Sequence, residues 1–233
     1  MASLDERFNY AQTPEPITRV GEYRGERVVR VAATQLGTKF SKAEASRIVS
    51  EWIEFLSAGP SPIEELAFVT RTPRRLFESL ARQTQLRSLA VKWGDYDDLS
   101  VLHAMSQLSI LQLRGASSVR SVEPLTGLRR LEALLLESLR HARDLSPIGQ
   151  MEAVTALDLG GDWMSPRIAH IDSIAFLRQM PQLRSLLLHT VIVDDLDYGP
   201  ILELPNLEAV RVMKTRGMRP THEKLVLLTP WKA

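Results

Sequence analysis

Apolar residues recur along this chain as a triplet, in which one is followed by a second three positions on and a third two positions further. The copies are Ile63-Leu66-Phe68, Leu86-Leu89-Val91, Leu108-Leu111-Leu113, Leu131-Leu134-Leu136, Val154-Leu157-Leu159, Leu183-Leu186-Leu188 and Leu207-Val210-Val212. Their starts lie 23, 22, 23, 23, 29 and 24 residues apart. The last two members of each triplet are two residues apart, the period of a strand with one buried face. Upstream of most triplets the apolar positions continue at intervals of three. Leu99, Leu102, Met105, Leu108 and Leu111 form one such row, and Leu145, Ile148, Met151, Val154 and Leu157 another. A period near three predicts a 3₁₀ or short α turn feeding each strand.

Each unit therefore reads as strand, loop, short helical turn and return. One unit alone cannot bury both its strand face and its turn face, so the units are expected to stack into a solenoid with a parallel sheet along one side. Seven strands at a spacing of about 4.8 Å predict a sheet roughly 30 Å long.

This pattern resembles the leucine-rich repeat family, in particular the short repeats of bacterial internalins and of phosphatase-regulatory leucine-rich proteins. The resemblance is carried by Leu131-Glu132-Ala133-Leu134-Leu135-Leu136 and its six equivalents. A proline before the turn aliphatic adds to it in Pro124-Leu125, Pro147-Ile148 and Pro200-Ile201. It covers residues 63 to 213 and implies an α/β solenoid with its parallel sheet on the concave face and 3₁₀ or α turns on the convex face. One feature departs from the family. Where an Asn or Cys usually follows the strand and bonds adjacent coils, this chain has Gly94, Ala116, Leu139, Asp162, Val191 and Thr215. The turns must then satisfy their amides through water or backbone groups, and a less regular solenoid is expected.

Solenoid ends need covers, because an open end leaves an apolar layer and an unpaired edge. Ser41 and Glu44 read as a capping box opening a helix to about Ser57. Ile48, Val49, Trp52, Ile53, Phe55 and Leu56 supply its apolar face. Ile17 to Val20 and Glu26 to Ala32 are read as a hairpin through Arg24-Gly25. Residues 15–62 are thus an N-terminal cap of hairpin plus helix, 63–213 the repeats, 214–233 a C-terminal cap and 1–14 a mobile terminus. Leu225 to Leu228 is expected as a final short strand or turn. Trp52 and Trp231 are assigned to cap packing.

Composition then narrows the function. Lys plus Arg number 29 and Asp plus Glu 28, so the net charge is +1. That supplies no field to attract nucleic acid or an anionic membrane. The absence of cysteine excludes disulfides, thiolate zinc sites and cysteine nucleophiles. Met1 to Gln12 holds no apolar signal region and no run of about 18 apolar residues occurs, which makes a cytoplasmic protein the default. His103, His141, His170, His189 and His222 show no metal-ligand spacing, and no nucleophile elbow, P-loop or dinucleotide fingerprint is present. No catalytic, cofactor-binding or metal-ligating residue is nominated, and no cofactor is expected. The acidic runs Asp95, Asp97, Asp98 and Asp194, Asp195, Asp197 read as solvated loops.

Between the buried members of each triplet, side chains alternate onto the open face of the sheet. Two columns follow: Ala67, Ala90, Gln112, Leu135, Asp158, Leu187 and Arg211, and beside it Val69, Lys92, Arg114, Glu137, Gly160, His189 and Met213. Leu135 and Leu187 within a surround of Lys92, Arg114, Glu137, His189 and Arg211 resemble a mixed protein interface, an apolar centre with a charged rim. Trp93 follows one strand, and Trp163 lies in the 29-residue unit, where it serves either as a binding anchor or as a plug for the enlarged coil. The expected function is a non-catalytic, monomeric scaffold for a protein partner, contacted through Lys92, Trp93, Gln112, Arg114, Leu135, Glu137, Asp158, Trp163, Leu187, His189, Arg211 and Met213. A narrower version is a bacterial immunity or regulatory protein that blocks one toxin or enzyme. The alternative class is an enzyme or small-molecule binder with Arg71, Arg74, Asp95 and His103 between the cap and the first coils.

Overall fold

In a computed structural model, residues 14–161 and 167–232 are described. They wind into a solenoid with one strand per coil. The strands are β1 (Val28–Val31), β2 (Glu65–Thr72), β3 (Ser88–Gly94), β4 (Ile110–Leu113), β5 (Ala133–Glu137), β6 (Ala156–Gly160), β8 (Ser185–His189) and β10 (Ala209–Val212). All pair in parallel as one eight-stranded sheet, in chain order. Two further short strands, β7 (Ala169–Ile171) and β9 (Val191–Val193), form a separate parallel pair in the long unit and the one after it.

Register makes the repeat physical. Leu66, Leu89, Leu111, Leu134, Leu157, Leu186 and Val210 are aligned partners across seven neighbouring strands, with Val29 before them. Every triplet member is buried except Leu207, which is half-buried at the last coil. The period-three rows form 3₁₀ turns on the opposite side at Ser100–Leu102, Glu123–Gly127, Ser146–Gln150, Ala175–Gln179 and Gly199–Glu203. Pro124, Pro147 and Pro200 sit in the first turn of three of these, where a missing N–H costs nothing. The first coil uses a short helix instead, α2 (Arg74–Glu78), running into a 3₁₀ turn.

The coils dispense with an asparagine ladder. Ala116, Leu139 and Val191 point inward and are buried. The turn amides are held by backbone instead: Ala116 N–H donates to the Glu137 carbonyl (2.9 Å), Ser138 N–H to Gly160 (2.7 Å) and Gly161 N–H to His189 (3.0 Å). Irregularity appears as a register shift between Phe68 and Arg71 and as positive φ at Ser138, Thr190 and Leu196.

The N-terminal hairpin does not form. Val28–Val31 is an eighth solenoid strand, parallel to β2. Helix α1 (Lys42–Ser57) crosses between them, making a β-α-β unit. The reason lies in the side chains: Val29 and Val31 alternate into the same core as Leu66 and Phe68, which an antiparallel arm beside Ile17 would not reach. Ile17 still lies beside β1, in a parallel bridge to Val31 that covers the sheet edge. The capping box is present, with Ser41 Oγ accepting from Glu44 N–H and the Glu44 carboxylate accepting from Ser41 N–H. Ile48, Trp52 and Leu56, one turn apart, are buried, and Trp52 donates its indole N–H to the Thr18 carbonyl (2.8 Å). Buried Gln83 fastens this helix to the first coil, donating to the Leu56 and Gly59 carbonyls at 2.7 and 2.6 Å.

The far end also differs from expectation. Residues His222–Leu228 form a helix, α3, capped by Thr221. Leu225 alone of the apolar run Leu225–Leu228 is buried. The run is continuous rather than periodic, so it does not distinguish strand from helix. Trp231 closes the last edge through a parallel bridge to Val210.

Stacking predicts a graded cost of truncation. Leu157→Ala, in the middle of the ladder, is expected to destabilise the protein by about 2–5 kcal/mol, and Leu207→Ala by less than half as much. Denaturant unfolding midpoints measure both, and equal losses would contradict a core that is continuous and tapers at the last coil.

Candidate functional site

The outward row of the sheet runs Arg30, Ala67, Ala90, Gln112, Leu135, Asp158, Leu187, Arg211, aligned strand by strand. An arginine ends it on each side. The row is open at its ends and closed in its middle. Arg211 is exposed and Leu187 half-buried, whereas Gln112, Leu135 and Asp158 are buried. Leu135 is only 1% exposed and packs with Ala133, Ala156 and Ile110 in a second, small apolar cluster. The expected exposed apolar centre is therefore replaced by an interior one. Alternation assigned Leu135 to the correct face, but it could not report solvent access on that face.

Beside this cluster lies a run of charged and ionisable groups. Arg114 Nη1 donates to Glu137 Oε1 at 2.6 Å. His189 Nε2 lies 3.8 Å from the same carboxylate oxygen and 3.1 Å from Asp158 Oδ1. Glu137, Asp158 and His189 are 5, 6 and 5% exposed. Their meeting depends on Gly160, the partner of both Glu137 and His189 in the ladder. A Cβ at Gly160 would lie 2.3 Å from the imidazole, so the missing side chain is the space the ring occupies. His189 also contacts the Thr190 hydroxyl through Nδ1 (3.1 Å). The sequence brought these residues into adjacent columns, and the structure joins Arg114, Glu137, His189 and Asp158 into one contiguous polar cluster. Paired charges of this kind stabilise little in sum, yet removing one member leaves another buried and uncompensated.

Lys92 and Arg211 are exposed, and Met213 is half-buried. Trp93, 37% exposed, stands at the C-terminal end of β3 with the Arg71 guanidinium 5.9 Å from its ring centroid. Trp163 lies outside the described residues. Arg30 escaped the sequence reading, because its place in the row follows only once Val28–Val31 is known to be a solenoid strand. The signal was present in Val29 and Val31, which have the spacing of the last two triplet members, with polar Glu26 where the first would stand.

The residues nominated for an enzyme or small-molecule site are partly assembled. Arg71 pairs with Asp95 (2.7 Å), which also accepts from the Arg74 backbone N–H (2.9 Å). Arg74 reaches Asp97 (3.1 Å) and Glu78 (2.8 Å). His103 is not among them; it packs over Gly127 on the turn side of the solenoid. A rim pocket of about 640 Å³ is lined by Arg74, Asp95, Asp97, Ser118, Arg120 and His141. Its acids and bases are largely paired with one another, so it reads as a rim ion-pair network. The acidic loops are likewise structured. Asp98 accepts from Ser100 N–H and Oγ–H, which holds its carboxyl below the usual range, and Asp197 accepts from Gly199 N–H. Arg143 bridges Asp172 and Asp194, and His170 Nδ1 lies 2.6 Å from Asp194. Beneath the rim, Tyr96 stacks on Phe77 at 4.2 Å, and burial raises its phenol pKa. Among the described residues no group of three or more His, Asp or Glu is placed to hold a metal ion. No described helix is long and apolar enough to cross a membrane.

The fold is that of a leucine-rich repeat solenoid, and solved structures carry the same architecture. A leucine-rich repeat protein of Leptospira interrogans superposes with a TM-score of 0.62 at 12% identity, over 94% of this chain and 52% of that one. Internalin C2 of Listeria monocytogenes gives 0.51 at 18% identity, over 70% of this chain and 72% of that one. A second Listeria internalin gives 0.47 at 17% identity over 64% of this chain, which spans 38% of its length. The chain thus spans about half the length of the Leptospira protein and less of the second internalin. No family model matches the chain, and no curated protein matches it.

The polar cluster predicts a specific stability pattern. Gly160→Ala is expected to displace His189 and cost about 1–3 kcal/mol through overpacking. Arg114→Ala should cost about 2–4 kcal/mol by removing the guanidinium that meets buried Glu137, and adding Glu137→Gln should recover part of that loss. Unfolding midpoints of the single and double variants test this, and purely additive losses would contradict a coupled pair.

Proposed function

We propose that this chain is a non-catalytic scaffold that binds a protein partner along the open part of its concave sheet face and the adjoining rim. The observation that carries this reading is the distribution of exposure on that face. Its middle is closed by Leu135, Asp158 and His189, while Lys92, Trp93 and Arg211 stand out to either side. A half-exposed Trp beside cations is the composition of a protein-binding anchor rather than of a solvated sheet. Helix α1 with the Ile17 bridge at one end and residues 214–232 at the other serve as end covers, so that the strands from Val28–Val31 to Ala209–Val212 can present the sheet without fraying.

The reading moves contact away from the residues the pattern favoured. Leu135, Gln112, Glu137, Asp158 and His189 support the sheet from within, and Arg114 connects them to the surface. Lys92, Trp93, Arg114, Leu187, Arg211 and Met213 remain as the contact set.

A combined Lys92→Glu, Trp93→Ala, Arg211→Glu variant tests this against a control, Arg82→Glu with Arg129→Glu, which alters exposed residues of the convex turns. Quantitative affinity capture from native lysate should lose its specific partner with the first variant, at least about tenfold, and keep it with the control. Both should unfold like the native protein. Undiminished capture by the concave variant would place the contact surface elsewhere.

A further inference from the structure

Between Arg30 and Gln112 the outward row holds only Ala67 and Ala90. Two small side chains between longer ones leave a hollow in the sheet face. The result is a pocket of about 260 Å³, lined by Arg30, Ala67, Phe68, Val69, Ala90, Val91, Lys92 and Arg114. Its floor is apolar, three cations edge it, and no carboxylate lines it. Among the described residues neither Arg30 nor Lys92 has a carboxylate within ion-pair distance; Arg30 Nη1 donates to the Pro14 carbonyl at 3.2 Å, and its buried Nε has no acceptor. Arg114 engages Glu137 through Nη1. Elsewhere Arg71, Arg74, Arg120, Arg143, Arg178 and Arg184 are examples of arginines that do face carboxylates. The hollow is a local excess of positive charge on a chain whose net charge is +1.

We propose that this hollow receives an Asp or Glu side chain from an acidic, extended segment of the protein partner. The proposal rests on the concave-face reading above and names the chemistry of its occupant. Charge complementarity selects an anion: a carboxylate between Arg30, Lys92 and Arg114 would meet donors on three sides, with alanine and valine methyls beneath its methylenes. Size selects a side chain, because the volume is smaller than the sites that enclose whole drug-sized ligands. The surrounding surface argues against a polyanion. Glu65 is exposed two residues before Ala67 on β2, and the rim carries Asp95 and Asp97, so phosphates extending beyond the hollow would meet carboxylates.

The test is a selection with charge swap. A displayed library of random decapeptides is panned against the native protein and against an Arg30→Glu, Lys92→Glu variant whose unfolding midpoint is checked first. Native-selected peptides should be enriched in Asp and Glu, weaken as salt rises, and bind the swapped variant at least about tenfold less tightly. The swapped variant should select Lys and Arg instead. If Arg30→Glu disturbs folding, Lys92→Glu alone carries the same expectation, since Lys92 is exposed. Selected peptides without acidic bias, equal binding to both proteins, no selected binder at all, or preference for a phosphopeptide or oligonucleotide over the acidic peptides would each overturn the proposal. Unbiased peptides that still lose binding on Trp93→Ala with Arg211→Glu would leave the concave-face reading standing while removing this one. Peptides indifferent to all four positions would remove both.

Discussion

No single coil of this protein can bury itself. A coil of 22 to 29 residues presents one apolar strand face and one apolar turn face, and only the neighbouring coils can cover both. The aligned row from Leu66 to Val210 is that constraint made visible, and nearly everything else answers it. At the two ends, where a neighbour is missing, the chain supplies substitutes: Trp52 on α1 and the Ile17 bridge at one, Leu225 and the Trp231 bridge at the other. Backbone hydrogen bonds between turns tie coil to coil, and the side-chain amides of Gln83, Gln85, Gln182 and Asn206 add to them at particular coils.

The same stacking explains how the sheet face can hold buried charge. Parallel register sets Glu137, Gly160 and His189 abreast, so a glycine on the middle strand lets an imidazole from one side approach a carboxylate on the other. These groups consolidate the centre of the face. The remaining cations of the face lie toward its ends, where Arg30 and Lys92 border one hollow and Arg211 stands on the last strand. Structure and proposed function thus divide the face between them: a closed middle of buried polar groups and more open, cationic flanks.

The repeat was legible because burial of leucine is strict at the triplet positions and little else competes with it. The turns were legible too, since a period of three has few other meanings beside a strand. What escaped had specific causes. Strand β1 shows only Val29 and Val31, with Glu26 in the position of the missing first aliphatic, so it did not announce itself as another repeat. Helix α3 carries an unbroken apolar run, although Thr221 at its N-cap was a usable sign. Leu135 and His189 were assigned to the right face, but alternation along a strand says which way a side chain points and not whether water reaches it. Arg30 depended on β1 and was lost with it.

The central claim is that the strands form one unbroken parallel row, each a single inter-strand step from the last. The chain has no cysteine, so two can be introduced without background at the exposed residues Glu65 and Arg211 and spin-labelled. These positions are on β2 and β10, six strand steps apart in the sheet order. Double electron–electron resonance should give one narrow distribution centred at about 29 Å, six times the usual spacing, within label reach. A broad distribution, or one centred below about 20 Å, would mean that the coils do not stack in this order.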